Sequence, residues 1–216
     1  MKITDHEVDI TIHVLFVLGI IAESMTGAIS AGRKKMDVFG VVSISVITAL
    51  GGGTIRNILL GVYPMTWVAT PLYIIIAIVA AIVALPLVNL VIRLRRLFLI
   101  LDSAGLVTFA YLGAIIAYNS THDIIIATLM AIVTGVSGGV IRDVLCNDVP
   151  LVFRSELYAM VAFLVGLIQA LLLQYWHNTV YTTILILCSG FAVRMWAINK
   201  KIHLPFINYQ DKGDFH

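Results

Sequence analysis

The segments Gly51-Gly52-Gly53-Thr54-Ile55-Arg56-Asn57 and Ser137-Gly138-Gly139-Val140-Ile141-Arg142-Asp143 are two copies of one motif, 86 residues apart. Around them, residues 27–64 align without a gap with residues 113–150, and 12 of the 38 aligned positions are identical. The identities include Gly-Gly-x-Ile-Arg, an aspartate, a threonine and a proline, which chance matching between apolar segments does not align together. The chain therefore contains an internal repeat.

The composition requires a lipid environment. Of 216 residues, 60% are hydrophobic and 12% are charged, and the mean hydropathy is +1.01; soluble domains are about 45–50% apolar and about 25% charged. A 23.6 kDa chain cannot hide this apolar excess in a core, because much of its surface stays exposed. Ordinary soluble domains and disordered chains are excluded. Two cysteines exclude a disulfide scaffold, and the scattered histidines predict no metal site.

Seven stretches are long enough to cross a bilayer, which takes about 20 mostly apolar residues. They are residues 8–31, 37–60, 66–92, 97–118, 123–146, 151–175 and 180–199. The basic clusters at 33–35, 93–96 and 200–212 all fall on one side of this arrangement, and the opposite loops contain no Lys or Arg. The positive-inside rule then predicts a cytoplasmic C-terminus and an external N-terminus. Acidic residues precede the first stretch, so we expect no signal peptide.

The two repeats predict an inverted architecture. Each repeat holds three spans, an odd number, so the second copy is expected upside down relative to the first. Inverted repeats of this kind build transport folds, with the path near the midplane at the repeat interface. The fold class is an all-α integral membrane protein of seven transmembrane helices. The predicted divisions are a first repeat at 1–92, a second at 93–175, a seventh helix at 176–199 and a cytoplasmic tail at 200–216.

The glycines of the motif predict broken second and fifth helices. Glycine costs about 1 kcal/mol relative to alanine in a helix interior, so these helices are expected to kink or unwind. Backbone groups freed at membrane depth are tolerated only inside protein or beside a water-filled cavity. Helical spacing places two matching stripes on these helices: Thr48, Gly52 and Arg56, and Thr134, Gly138 and Arg142. The alternative interpretation of the glycines is close helix packing.

Five ionisable residues inside the spans are candidates for a pore or gate: Glu23, Arg56, Asp102, Arg142 and Asp143. Such residues are costly in a membrane and usually functional. Each has a structural alternative. The arginines could snorkel toward the membrane surface, Asp102 could pair with Arg95 or Arg96, and Glu23 could pair with a buried arginine. Asp143 cannot share a helix face with Arg142, so we expect it to pair with another segment.

With this doubled motif, a proline after each copy and a 3+3+1 layout, the sequence resembles the TRIC channels. These are trimeric intracellular cation channels whose bacterial relatives are also grouped as a glycine-transporter-domain family. The resemblance covers residues 8–199. It implies a homotrimer in a prokaryotic inner membrane, surrounded by lipid, with one pore per subunit gated at the kinked second and fifth helices. The permeant ion would be K⁺, or Na⁺, with no cofactor, no nucleic acid partner and no enzymatic activity.

The resemblance assigns the hinge to five glycines and the basic positions to Arg56 and Arg142. The hinge glycines are Gly51, Gly52, Gly53, Gly138 and Gly139. The family motif commonly reads Gly-Gly-Gly-x-x-Arg-Asp, and this chain departs from it twice. Asn57 replaces the first aspartate and removes a charge, and Ser137 replaces the first glycine of the second copy.

Two rival functions fit parts of the sequence. A carrier for glycine or another small zwitterion also suits inverted repeats and broken helices, with Glu23 as a deep acid for the ammonium group. Gly135-Val136-Ser137-Gly138 matches the motif of rhomboid-type serine proteases. A serine nucleophile needs a nearby base, however, and His177 and His203 are predicted in a loop and in the tail.

Overall fold

The computed structural model describes residues 5–89, 94–154, 157–176 and 179–200, and every regular element within these ranges is a helix. The helices are α1 (Asp5–Arg33), α2 (Val38–Leu60), α3 (Thr66–Ala69), α4 (Leu72–Asn89), α5 (Leu94–Thr121), α6 (Ile124–Leu145), α7 (Leu151–Arg154), α8 (Tyr158–Tyr175) and α9 (Val180–Lys200). Six of them, α1, α2, α5, α6, α8 and α9, are long and apolar enough to cross a membrane. A shorter apolar helix, Leu72–Pro86, lies within α4. The predicted all-helical architecture is confirmed for these ranges, with six helices of spanning length and one shorter apolar helix at the predicted third span.

The third and sixth predicted spans differ from the prediction because each starts with a separate short helix. In the third, α3 ends at Ala69 and α4 begins at Leu72. Pro71 lacks an N–H and disfavours the helical conformation at Thr70, which separates the two. In the sixth, α8 follows Leu157, whose φ of 46° lies in the left-handed region. Residues 90–93, His177, His203 and the tail from 201 lie outside the described residues.

Matching aspartates start the two helices that carry the repeated motif. Asp37 caps α2 by accepting a hydrogen bond from the N–H of Gly40 at 2.7 Å. Asp123 caps α6 by accepting one from the N–H of Ile126 at 2.9 Å. Each cap satisfies a backbone donor that the first turn of a helix leaves unpaired. The aspartate shared by the two repeats therefore sets where these helices begin.

The long helices form two groups of three, α1–α2–α4 and α5–α6–α8, with α9 beside α5 and α8. Within each group every helix contacts the other two, and the groups meet through α1 against α5 and α2 against α6. Small residues allow this close packing in lipid. A methyl group at Gly27 on α1 would lie 2.6 Å from the Cα of Ser45 on α2. One at Gly113 on α5 would lie 2.7 Å from the carbonyl oxygen of Met130 on α6.

An ion pair places two loops at the same end of the helices. Lys34 Nζ, between α1 and α2, lies 2.9 Å from Asp148 Oδ1, between α6 and α7. The start of α2 is therefore near the end of α6, and these two helices run antiparallel. Arg142, in the last turn of α6, lies toward the end marked by this ion pair. Arg56, late in α2, lies toward the opposite end.

Candidate functional site

The two helices that carry the motif, α2 and α6, cross with their backbones in contact. A methyl group added at Gly52 would overlap the carbonyl oxygen of Thr134, and one added at Gly138 would overlap the carbonyl oxygen of Thr48. The two contacts are equivalent, because each pairs a motif glycine on one helix with the repeated threonine on the other. Only glycine permits this approach, because a side chain would meet backbone atoms that cannot rotate aside.

The threonines at this crossing are hydrogen-bonded within their own helices. Thr48 Oγ1 donates to the carbonyl oxygen of Ile44 at 2.6 Å, and Thr134 Oγ1 donates to that of Met130 at 2.6 Å. Both threonines are 1% exposed. The two predicted stripes therefore meet as a sealed contact, and the crossing is closed in this conformation.

Both helices continue through their glycines. The helix α2 runs from Val38 to Leu60 and α6 from Ile124 to Leu145 without a gap. The predicted unwinding is therefore not present in this conformation, and a bend at the glycines stays a prediction.

The other motif positions border the crossing. A methyl group at Gly51 would lie 3.0 Å from the Cδ1 of Ile141. One at Gly53 would be in ordinary contact with Arg56, and one at Gly139 would lie 3.3 Å from the hydroxyl of Tyr158. Ser137 donates its hydroxyl hydrogen to the carbonyl oxygen of Val133 on its own helix.

Arg142 is the centre of a buried charge cluster. Its guanidinium donates to Asp143 Oδ1 from Nε at 2.8 Å, and from Nη1 to Asp102 Oδ1 at 3.0 Å and Thr26 Oγ1 at 2.9 Å. Glu23 Oε2 lies 3.8 Å from Nη1. The ring of Phe98 packs on the guanidinium with its centroid 4.6 Å away. Such geometry is required because a buried charge is tolerated only when it is paired and hydrogen-bonded.

This cluster resolves alternatives that were open from the sequence. Arg142 and Arg56 are both 0% exposed, so neither side chain reaches the membrane surface. Asp102 pairs with Arg142, which is 40 positions away in sequence, and its side chain is also 0% exposed. Glu23 is 2% exposed and lies beside the same arginine. Glu23 has the buried arginine neighbour of its structural alternative, but the partner expected for Asp102 was wrong, because it pairs with Arg142 and not with Arg95 or Arg96.

Asp143 bonds to another segment as expected, but it also pairs with Arg142, which was not expected. Its Oδ1 accepts from Arg142, the preceding residue, although the two Cβ atoms point to different helix faces. The arginine side chain is long enough to fold back along the helix to its neighbour. The second oxygen, Oδ2, accepts from the N–H of Leu151 at 2.9 Å and so connects α6 to the start of α7.

Arg56 has a different environment from its repeat partner. Its Nε and Nη2 donate to Asn57 Oδ1 at 3.0 Å and 2.7 Å, and Nη2 also donates to Thr66 Oγ1 at 3.3 Å. Its Nη1 has no hydrogen-bond partner within the described ranges. The ion pairs of those ranges include no carboxylate at Arg56. The substitution of aspartate by Asn57 therefore leaves a buried cation with amide and hydroxyl partners.

The difference between the two halves extends beyond the motif. With the 86-residue shift, Glu23 aligns with Phe109 and Asp102 aligns with Phe16. These two phenylalanines are buried and pack edge to face, with centroids 6.1 Å apart. Glu23 and Asp102 therefore lie beside Arg142, whereas the positions that align with them hold two phenylalanine rings that pack on each other.

Sequence reasoning missed Arg194 on α9. Its side chain is 0% exposed, and its guanidinium carbon lies 4.7 Å from the ring centroid of Tyr158 on α8. The available signal was a single arginine inside the seventh apolar span. The Thr26, Phe98 and Thr66 contacts gave no comparable signal, because uncharged residues are common throughout such helices.

Comparison with known proteins identifies relatives along most of the chain. A family model described as "Glycine transporter" matches residues 13–89 and again residues 99–174. The UPF0126 inner membrane protein YadS of Escherichia coli K12 is 33% identical over 201 residues, covering 92% of this chain and 97% of that protein. The UPF0126 membrane protein YvgT of Bacillus subtilis is 37% identical over 158 residues, covering 73% and 78%.

Solved structures share the fold. A TRIC trimeric intracellular cation channel orthologue from Rhodobacter sphaeroides superposes with a TM-score of 0.81 at 31% identity, covering 89% of this chain and 99% of that one. A prokaryotic TRIC channel studied in 0.5 M KCl gives a TM-score of 0.83 at 34% identity, covering 90% and 99%. These likenesses extend to both groups of three helices.

The crossing predicts opposite effects of alanine at adjacent glycines. Gly52→Ala is expected to destabilise the protein by about 1–3 kcal/mol, because its methyl group meets a backbone carbonyl. Gly53→Ala is the matched control, since its methyl group has room and alanine favours helix by up to about 1 kcal/mol. Thermal unfolding in detergent measures both. Equal melting temperatures for the two variants would contradict the close contact.

The unequal charge environments predict unequal costs of removing the two arginines. Arg142→Gln leaves buried acids unpaired and is expected to cost about 3–5 kcal/mol. Arg56→Gln strands no carboxylate in the described part of the chain and is expected to cost clearly less. Unfolding of the two purified variants under the same conditions measures both losses. Equal losses of stability would contradict the difference in charge environment.

Proposed function

Because the chain belongs to the TRIC channel family, whose family model is described as "Glycine transporter", we propose that it is a membrane channel for monovalent cations, chiefly K⁺. The observation that carries the proposal is the reciprocal contact of α2 and α6, at the centre of a fold shared with TRIC cation channels. Two helices whose closest approach is made at glycines can separate by a small movement, which suits a gate.

We infer that the path through one subunit passes between α2 and α6 and is closed in the conformation described. A bend at the glycines would move Gly52 away from Thr134 and Gly138 away from Thr48. The carbonyl oxygens now covered by glycine would then face the opening. Carbonyl oxygens can replace the water around K⁺ in a channel, so they would line the narrowest part of the path. Arg56 and Arg142 stand one helical turn beyond the crossing, toward opposite ends.

The assembly and orientation belong to the same proposal. The solved relatives are named trimeric channels, and the relative from Escherichia coli is named an inner membrane protein. We propose a homotrimer in a prokaryotic inner membrane, with the N-terminus outside, the C-terminus in the cytoplasm and the two repeats inverted. The aspartate caps, the exchanged glycine contacts and the antiparallel α2 and α6 support the inversion.

A carrier for glycine or another small zwitterion is the second candidate. The description of the matching family model favours it. Closely packed, antiparallel helices from two repeats also suit alternating access. Glu23 lies beside Arg142, so the acid proposed for the ammonium group already has a cationic neighbour, which makes the carrier the weaker candidate.

Reconstitution separates these two functions. Purified protein in liposomes with a K⁺ gradient is expected to give K⁺ flux that added glycine does not change. Radiolabelled glycine uptake is measured in the same vesicles, with protein-free liposomes as the control. Saturable glycine uptake in the absence of K⁺ flux would replace the channel by the carrier.

The glycine hinge predicts a variant that folds but conducts poorly. Gly51→Ala combined with Gly53→Ala stiffens α2 without placing a methyl group on a backbone atom. K⁺ flux is expected to fall several-fold while the melting temperature is kept or raised. Ser43→Ala, on the same helix but away from the crossing, is the matched control and should conduct as the unmodified protein does. Undiminished flux in the double variant would remove the hinge from the gating mechanism.

A further inference from the structure

More carboxyl groups surround Arg142 than its single positive charge can neutralise. Three carboxyl groups surround it, those of Glu23, Asp102 and Asp143, and all three residues are at least nine-tenths buried. Arg194 is the nearby second cation, across the ring of Tyr158. Arg142 donates to both aspartates but lies farther from Glu23, so the described residues show no short bond from a cation to Glu23. A carboxylate buried without compensation usually becomes neutral instead.

Glu23 is the most weakly held of the three acids. Asp143 and Asp102 accept from Arg142 at 2.8 Å and 3.0 Å, whereas Glu23 lies 3.8 Å from it. The one hydrogen bond to its Oε2 comes from Thr26 at 3.1 Å, and the same hydroxyl is closer to the backbone oxygen of Glu23, at 2.8 Å. The carboxyl group therefore receives less stabilisation of its negative charge than either aspartate.

The free oxygen of Glu23 occupies a space made by a glycine. Its Oε1 has no hydrogen-bond partner among the described residues, and a methyl group at Gly105 on α5 would overlap it. With the 86-residue shift, Gly105 aligns with Gly19 and Glu23 aligns with Phe109. The ring of Phe109 lies 3.1 Å from the position of a methyl group at Gly19. An uncharged side chain thus fills the corresponding space in the other repeat.

We propose that Glu23 is a proton-binding site, and that its carboxyl group carries a proton in the conformation described. On release the proton passes to water and leaves a carboxylate beside Asp102. Among the described residues, the charged groups that face this site are Asp102 on α5 and Arg142 and Asp143 on α6, with Arg194 on α9 against the ring of Tyr158. Helix α4 contains no charged residue, and the one charged residue of α2, Arg56, donates to Asn57.

The role of this proton rests on the proposed channel function. Compared with a neutral Glu23, an ionised Glu23 adds a negative charge on the side of the crossing where Arg142 lies. Additional negative charge favours cations in a nearby path. Cation flux is therefore expected to rise as pH rises through the titration of Glu23.

Infrared spectroscopy of the full-length protein in lipid tests the site directly. We expect a carbonyl-stretch band of a protonated carboxyl group at neutral pH that shifts in D₂O and is absent in Glu23→Gln. Asp148→Asn, which changes an acid at the surface ion pair, is the matched control and should keep the band. A band that survives Glu23→Gln, or no such band in the unmodified protein, overturns the proposal.

Stability provides a second readout. Glutamine resembles a protonated glutamate in shape and charge, so Glu23→Gln is expected to keep the melting temperature at neutral pH. Asp102→Asn removes an ionised partner of Arg142 and should lower it. A Glu23→Gln protein that fails to fold, or that loses as much thermal stability as Asp102→Asn, shows that Glu23 is ionised and overturns the proposal.

The pH profile of K⁺ flux then tests the link to transport. The unmodified protein is expected to conduct more at high pH than at low pH, and Glu23→Gln should show a flat profile, with Asp148→Asn retaining the slope. Equal slopes in Glu23→Gln and the unmodified protein remove the link between this proton and conduction. If the unmodified protein conducts no cations, the channel proposal fails, while the infrared band still decides the proton site.

Discussion

The contact between the backbones of α2 and α6 is the constraint on which the rest of the structure depends. Because Gly52 and Gly138 each lie against a carbonyl oxygen of the opposite helix, the helices are as close as their main chains allow. The arginines one turn beyond these glycines are thereby held inside the protein. Both guanidinium groups are fully buried, so each must find its partners among protein groups, on its own helix and on neighbouring elements. The buried polar clusters follow from the glycines.

The repeat gives both halves the same framework but different electrostatics. Residues shared by the two repeats shape the framework: the aspartate caps, the glycine contacts and the buried arginines occur in both copies. The charge differs at one motif position, where Asn57 aligns with Asp143, and outside the motif, where Glu23 and Asp102 stand where the other copy has phenylalanines. Divergence of the copies has therefore affected the groups around the arginines more than the helix crossing itself.

The helices could be predicted from the sequence far better than the contacts between them. Runs of apolar residues and the prolines locate the spans, although the helix break at Thr70 needs the local effect of Pro71. Which helices pack together could not be predicted, because every helix face is apolar and periodicity does not show which faces are in contact. The pairing of Asp102 with Arg142 across 40 positions depends on how α5 packs against α6. A local bond such as that between Arg142 and Asp143 depends on side-chain conformation, which helical spacing does not specify.

The lone cation at Arg56 also has an electrical consequence. Since α2 and α6 run antiparallel, Arg56, which has no carboxylate partner among the described residues, and the acid-rich cluster lie toward opposite ends of the crossing. A cation that enters from the Arg56 end meets repulsion first, and one that enters from the Arg142 end meets carboxyl groups first. A path built on these two ends has a barrier profile that is not symmetric about its middle. In the proposed channel, current through a single oriented protein would then rectify, passing more readily at one polarity of the membrane potential than at the other.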